Sequence, residues 1–260
     1  MRIICLTAIC LLLTCLTCLG QTNSWNNKKA AVVLTYDDAI PQHLYNAIPV
    51  LDSLHLKATF YITAFNAKAQ INDWKKVALN GHELGNHTLF HPCIGGIKGR
   101  EWVKSERNMN HYTVQQMLDE IRMTNVFLQA LDGKTKRTFA YTCGDMTVND
   151  TSFVDDIKKD FVAARGVHPG LLKIEQVNLF NINCFTANQT TATEMKQWID
   201  QAINSGSLVV ILFHGIGGGN PLNITVKDHS ELLHYLKTKE KDIWIAPMLE
   251  VVNYIKKQQD

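Results

Sequence analysis

Apolar residues along this chain fall into short blocks of strand length, separated by segments with helical periodicity. Seven such blocks cover residues 31–35, 58–62, 83–85, 138–141, 161–164, 208–213 and 243–246, and most are apolar without alternation. An unalternating block is covered on both faces, as in a parallel sheet or barrel. Helical patterns occupy 44–54, 74–79, 113–131, 152–159, 193–205, 230–237 and 248–257. In the third of these Val114, Met117, Leu118, Ile121, Val126, Leu128 and Leu131 recur at helical spacing, with Thr113 placed to cap the start and Gly133 to end it. Such repeated alternation predicts an α/β barrel-like fold. No internal repeat or interior linker interrupts it, so a single domain is expected from Lys29 to the C-terminus. Residues 91–111 are glycine-bearing, polar and aperiodic, and predict a long loop over one face.

Composition narrows the class only a little. A chain of 260 residues with 46% hydrophobic content can bury a sizeable core unaided, and a formal charge of +2 gives no reason to expect nucleic acid or an anionic membrane. Residues 1–20 form an apolar stretch behind one Arg and predict a secretory signal peptide, with cleavage after Gly20 and a polar linker over 21–28. A secreted, periplasmic or cell-surface location follows. Lipid attachment at Cys15 or Cys18 is the less favoured reading, because Thr14 and Thr17 precede them where a small residue is expected. Beyond the leader only Cys93, Cys143 and Cys184 remain. They make no disulfide framework and no paired-thiolate metal spacing, so at most one bridge is possible and apolar filling is the expected role of each.

The chemistry gathers at the ends of expected strands. The block at 31–35 runs out through Tyr36 onto Asp37-Asp38, two adjacent carboxylates that repel each other and resist burial. A polar turn capping the next helix would explain that pair, if nothing else in the chain answered it. Three other stretches do answer it. "GHELGNHTLFHP" places His87 and His91 four apart after a strand, "LVVILFHGIGG" ends a strong apolar strand on His214, and "RTFAYTCGD" carries a strand into a turn with Cys143 and Asp145. Two imidazoles close round a turn or share a helix face, and with one carboxylate they make a common set of ligands for a divalent metal. Function at strand C-termini suits a parallel sheet.

"LTYDDA", "HTLFH" and "ILFHG" closely resemble the first, second and fifth motifs of the polysaccharide deacetylase family, the NodB-homology domains of carbohydrate esterase family four. The resemblance implies a distorted (β/α) barrel of about seven parallel strands, a divalent metal that is usually zinc, and hydrolysis of acetyl groups on an acetylated glycan, with no protein partner implied. Carried over residue by residue, it makes Asp38, His87 and His91 the metal ligands, Asp37 the base and His214 the acid. Backbone N–H groups around Tyr141 and Thr142 match the donors to the oxyanion. Adjacent carboxylates then divide their labour, since a cation balanced by one lets its neighbour ionise.

Two motifs depart from the family. In "FAYTCG" Ala140 stands where an Arg usually orients the base, and Cys143 stands at the Tyr position. Arg165, after a neighbouring strand, is the candidate to supply the missing charge. The fourth motif has no clear counterpart, although His168 falls in its region. His82, Glu83 and Asn86 are candidates for fixing the imidazole tautomers, and Gly215, Gly217, Gly218 and Gly219 for close approach of substrate. Trp74, Trp198 and Trp244 are expected in the core, which leaves Trp102 in the long loop as the residue to stack on a sugar. The altered motifs keep open a carbohydrate-binding protein without catalysis, and a hydrolase of small cyclic amides is the nearest enzymatic alternative.

Overall fold

The computed structural model describes residues 24–260, so the expected signal peptide and the first three residues of the expected linker lie outside the described residues. Strands β1 (Ala30–Asp37), β2 (Thr59–Ile62), β3 (Glu83–Asn86), β4 (Thr138–Ala140), β5 (Ala163–Arg165), β6 (Phe185–Ala187), β7 (Leu208–Phe213) and β8 (Ile243–Ile245) form one parallel sheet. Its order is β5-β4-β3-β2-β1-β7-β6. One edge of β1 is shared: β8 pairs with Ala30 to Val32, and β2 with Thr35 to Asp37. An isolated bridge between Arg165 and Ile182, just before β6, and backbone bonds from Ala164 N to Leu179 O and from Cys184 N to His168 O link the two ends of the sheet. The result is a curled, distorted barrel of the kind expected. β6 escaped the sequence reading because its surroundings, "NCFTANQT", are mostly polar.

Strand parity builds two cores on either side of β1. Ala30, Val32, Leu34 and Tyr36 face the outer layer and pack with Leu51, Trp74, Met195 and Leu232 from the surrounding helices. Ala31 and Val33 face inward with Ala163, Val210, Leu212 and residues of the last helix (Met248–Gln259). Each Val or Leu so buried contributes about 1.5–3 kcal/mol, which is why every residue of β1 can be buried and the block reads as continuously apolar. Buried Glu83 ties the layers together, accepting hydrogen bonds from Thr59 Oγ1 (2.8 Å), Thr138 N (3.2 Å) and Leu249 N in the first turn of the last helix (2.8 Å).

Local sequence sets the helix ends. The helix at Val114–Asp132 begins on a capping box between Thr113 and Gln116 and ends on Gly133 at φ 71°. Those at Ala192–Ser205 and Val226–Thr238 start on Thr191 and Thr225, earlier than the apolar periodicity suggested, because a cap hydroxyl satisfies backbone donors ahead of the first buried residue. Trp25 is fully buried, donates from Nε1 to Gly206 O (3.0 Å) and belongs to the inner core.

Candidate active site

The same parity that places Ala31 and Val33 on the inner face continues through Thr35 to Asp37, the last residue of β1. In β7, Leu208, Val210 and Leu212 face inward, and the next position in that row is His214. In β5, Ala163 is an inner residue and Arg165 follows two positions later. Period-two geometry thus sends all three chemically active side chains to the mouth at the C-terminal ends of the strands. Asp38 leaves the strand at φ 78° and Ala39 continues at φ 54°, a left-handed kink that puts neighbouring carboxylates to use in one site. Held strain of this kind, about 1–3 kcal/mol per residue, gathers where function needs it.

His87 and His91 are brought together by a turn rather than a helix. Thr88 (φ 64°) and His91 (φ 59°) both adopt left-handed backbone. Asn86 Oδ1 accepts from Thr88 N at 2.8 Å and Thr88 Oγ1 from His91 N at 2.9 Å, which closes the turn. His87 Nδ1 donates to the carbonyl of Ala140 at 2.8 Å, so its Nε2 carries the lone pair that faces Asp38. Asp38 Oδ1 is 3.5 Å from His87 Nε2 and 3.3 Å from His91 Nε2. Its Oδ2 is held by Asn220 Nδ2 at 3.1 Å.

Whether these donors suit a divalent cation is tested by what they lack. Asp38 Oδ1 and Asp37 Oδ1 are buried with no hydrogen-bond partner, and a buried bare carboxylate oxygen needs a positive partner. One donor atom each from Asp38, His87 and His91 lies within 4.8 Å of the others. Burial alone would raise the pKa of Asp38, but His91 and His87 outweigh it and hold the carboxyl well below its ordinary range. Burial lowers His87, yet Asp37 and Asp38 overcome it and leave the ring above its usual pKa. His91 is pushed down, chiefly by burial. The set fits a cation of the zinc type, two imidazoles and one carboxylate with positions left over.

Ala140 and Arg165 are register partners across β4 and β5. The guanidinium missing from the first strand therefore rises from the adjacent position of the next, and Arg165 Nη2 donates to Asp37 Oδ2 in full burial. Its Nη1 donates to Gly166 O at 2.9 Å. Asp37 holds the Arg165 pKa above its ordinary value despite burial.

The turn after β4 carries the residues expected to supply the oxyanion donors. Tyr141 N donates to Arg165 O at 3.1 Å in the β4–β5 ladder and has no proton to spare, while its hydroxyl donates to Phe180 O at 3.0 Å. Thr142 is buried with its hydroxyl on Pro92 O. The residue of this turn that lines the cleft beside Tyr141 is Cys143, at φ 55°. Cys143 and Cys93 are not apolar fillers; they form a disulfide that pins the long loop to the turn after β4. Among the described residues Cys184 alone is free, buried against Arg165.

That loop and the turn wall a cleft of about 820 Å³ around Asp37, Asp38, His87, His91 and His214, with Phe90, Trp102, Arg107 and Leu222 at its sides. Trp102 is 59% exposed at the side of this cleft, its ring 6.4 Å from that of His91. Trp74 and its counterparts Trp198, on Phe185, and Trp244, on Tyr254, pack internally. His168 is exposed and lies outside the cleft lining. His82 binds Asp52 and Ala58 N, Glu83 is the core staple, and only Asn86 serves the histidine turn. Gly217 and Gly219 are required by packing rather than by substrate, since a Cβ there would meet Val226 Cγ2 at 2.5 Å and Gln42 Oε1 at 2.3 Å. Sequence reading passed over His43, whose Nε2 reaches His214 O at 2.7 Å and anchors that strand end. It missed Asn220 as well; a lone His after Pro and a lone Asn in a glycine-rich loop give no periodic signal.

The sequence profile of polysaccharide deacetylases matches residues 25–160, just over half of the chain. The chain belongs to the polysaccharide deacetylase family. A peptidoglycan-N-acetylglucosamine deacetylase of Bacillus cereus is 36% identical over 89 residues, 32% of either protein. The chain thus spans about a third of the length of the curated relatives it matches. In fold it resembles a family 4 acetyl xylan esterase from Clostridium thermocellum solved with cobalt, at TM-score 0.57 and 19% identity over 86% of this chain and 91% of that one. A mutant of a CE4 family pseudoenzyme is similar at TM-score 0.54 and 18% identity, over 87% and 68%.

Proposed function

We propose that this member of the polysaccharide deacetylase family is a secreted, metal-dependent hydrolase of N- or O-acetyl groups on a glycan. The observation that carries the reading is the bare Asp38 Oδ1 facing two imidazole nitrogens beside the Arg165-held Asp37, in a cleft large enough for a sugar chain. Asp38, His87 and His91 would hold a divalent cation, zinc by the donor set, which when bound polarises the acetyl carbonyl and acidifies water. Asp37 takes the proton of the attacking water, aimed by the Arg165 guanidinium that donates to its Oδ2. His214, whose Nδ1 is buried without a partner, delivers a proton to the departing sugar nitrogen or oxygen. Both leaving groups need the same site, and the named relatives include a peptidoglycan deacetylase and an acetyl xylan esterase. A Cys93–Cys143 bridge and the apolar leader favour an oxidising, extracytoplasmic location.

The binding-protein alternative rests on Ala140, and Arg165 in register with it weighs against that reading. Acetate release from acetylated xylan, chitooligosaccharides and peptidoglycan is the test, run with chelator, with zinc restored and with Asp37→Asn. Release that chelator stops, zinc restores and the variant lacks is the expected result. No release from any substrate by the zinc-loaded protein overturns the proposal in favour of binding.

A further inference from the structure

His91 lies between two donor clusters. Its Nε2 is 3.3 Å from Asp38 Oδ1, while its Nδ1 is 3.5 Å from Cys93 Sγ. Donor atoms of His91, Cys93 and Cys143 lie within 4.8 Å of one another, the two sulfurs because they are bonded and the imidazole by the fold of the loop. Joined in a disulfide, the sulfurs are neutral and poor donors. As thiolates they would be soft, anionic ligands that zinc-type cations prefer to a carboxylate.

We propose that the Cys93–Cys143 bridge masks a second, sulfur-rich metal site that shares His91 with the first, and that a dithiol reductant exposes it. The first-site half of this rests on the metal-dependent reading above. A neutral imidazole offers its lone pair on one nitrogen at a time, so His91 serves Asp38 and His87 through Nε2 or the cysteines through Nδ1, and one cation is drawn from the first site to the second. The bridge then acts as a redox gate on the metal.

Access and preorganisation both favour this chemistry. Cys143 lines the cleft, whereas Cys93 is fully buried. A reductant thiolate therefore attacks Cys143 Sγ, the S–S bond breaks, and Cys93 leaves as thiolate. The reductant's second thiolate displaces Cys143 and closes a cyclic disulfide, so two electrons pass to the protein and two cysteine thiols result. Their protons are released when a cation binds. The flanking segments are held independently of the bridge. Cys93 pairs with the chain through Arg107 O (3.1 Å) and Met109 N (2.9 Å). Across the gap, Arg100 Nη2 donates to Cys143 O at 2.9 Å, and Asp145 Oδ2 accepts from Ile94 N at 2.8 Å. These contacts would keep the two cysteines facing each other once the bond opens.

The test uses the metal-free chain, oxidised or treated with a dithiol that is then removed under anaerobic conditions, and loaded with one equivalent of cobalt(II). The oxidised protein should show only weak visible bands, and the reduced protein an intense near-ultraviolet thiolate-to-cobalt band. Cys93→Ser and Cys143→Ser should each lose most of that band. Reduced His91→Ala should bind cobalt at least about tenfold more weakly, a loss seen even for outer partners of a metal site. A reduced, folded protein without the band, unfolding on reduction by circular dichroism, or unchanged cobalt affinity in His91→Ala would each overturn the proposal. The absorption readout does not depend on turnover, so a protein that hydrolyses no glycan refutes the deacetylase reading separately.

Discussion

Two buried arginine–aspartate pairs stand at opposite ends of the barrel strands, and they differ in completeness. Arg137, just before β4, holds both oxygens of Asp132 at 2.6 and 2.9 Å and spends further protons on Leu84 O and Lys134 O. Arg165, at the end of β5, meets Asp37 through one nitrogen, and Asp37 Oδ1 and Arg165 Nε are left buried and bare. The first pair is local, joining a helix end to the next strand. The second reaches across 128 residues of sequence. Satisfied, a buried pair is architecture; unsatisfied, it marks where a ligand completes the structure.

The largest effect that would break this comparison is on chemistry. Asp37→Asn should lower acetate release by about 10²–10⁴, the usual worth of a general base, with zinc affinity by equilibrium dialysis changed only slightly. Equal losses in both would make Asp37 a ligand instead. Arg137→Ala should do the opposite, removing about 3–5 kcal/mol of stability by stranding a buried carboxylate. Denaturant unfolding would register that loss, and turnover by the folded fraction should persist.

Next in size, Arg165→Ala should cut turnover about a hundredfold while leaving metal binding nearly intact. Adding Ala140→Arg should recover part of the rate, because the two positions are register partners; no recovery would mean the guanidinium must come from β5. A smaller effect concerns acid. Burial, the main cause, lowers the pKa of His43 to about 4 and of His229 to about 3. Both fall below the unfolded value near 6.5, so the unfolded chain binds protons first. The stability contribution is present above pH 6.5 and is lost as pH falls toward 4 and 3. Between pH 7 and 5 each ring should cost about 2 kcal/mol, measured as a falling urea midpoint and blunted in His229→Gln. The smallest effect expected is that of Trp102→Ala, roughly a 3- to 10-fold rise in KM for polymeric substrate with kcat kept, the scale of one stacking contact.

Pattern alone was enough for the strands that are buried on both faces, β1 and β7 above all, since burial on two sides demands an unbroken apolar block. It was insufficient for β6, a polar edge strand of three residues, and for Trp25, whose isolated side chain has no periodic neighbours. Asp37, Asp38, His87, His91 and His214 could be singled out because each ends or follows a strand and matches a motif. Arg165 could be suspected but not placed, and Tyr141 was assigned a donor that the ladder to β5 already uses.

The amino-acid sequence by itself determined the alternation of strands and helices, the caps at Thr113 and Gly133, and the parity that sends Asp37 and His214 inward, because these depend on residues within a few positions of one another. Only the tertiary structure decided the partnership of Arg165 with Asp37, the closure of Cys93 on Cys143, and the Ala140 carbonyl that fixes the His87 tautomer. Those join elements 128, 50 and 53 residues apart. Register between parallel strands is set by the packing of whole layers, and no local pattern in a chain records it.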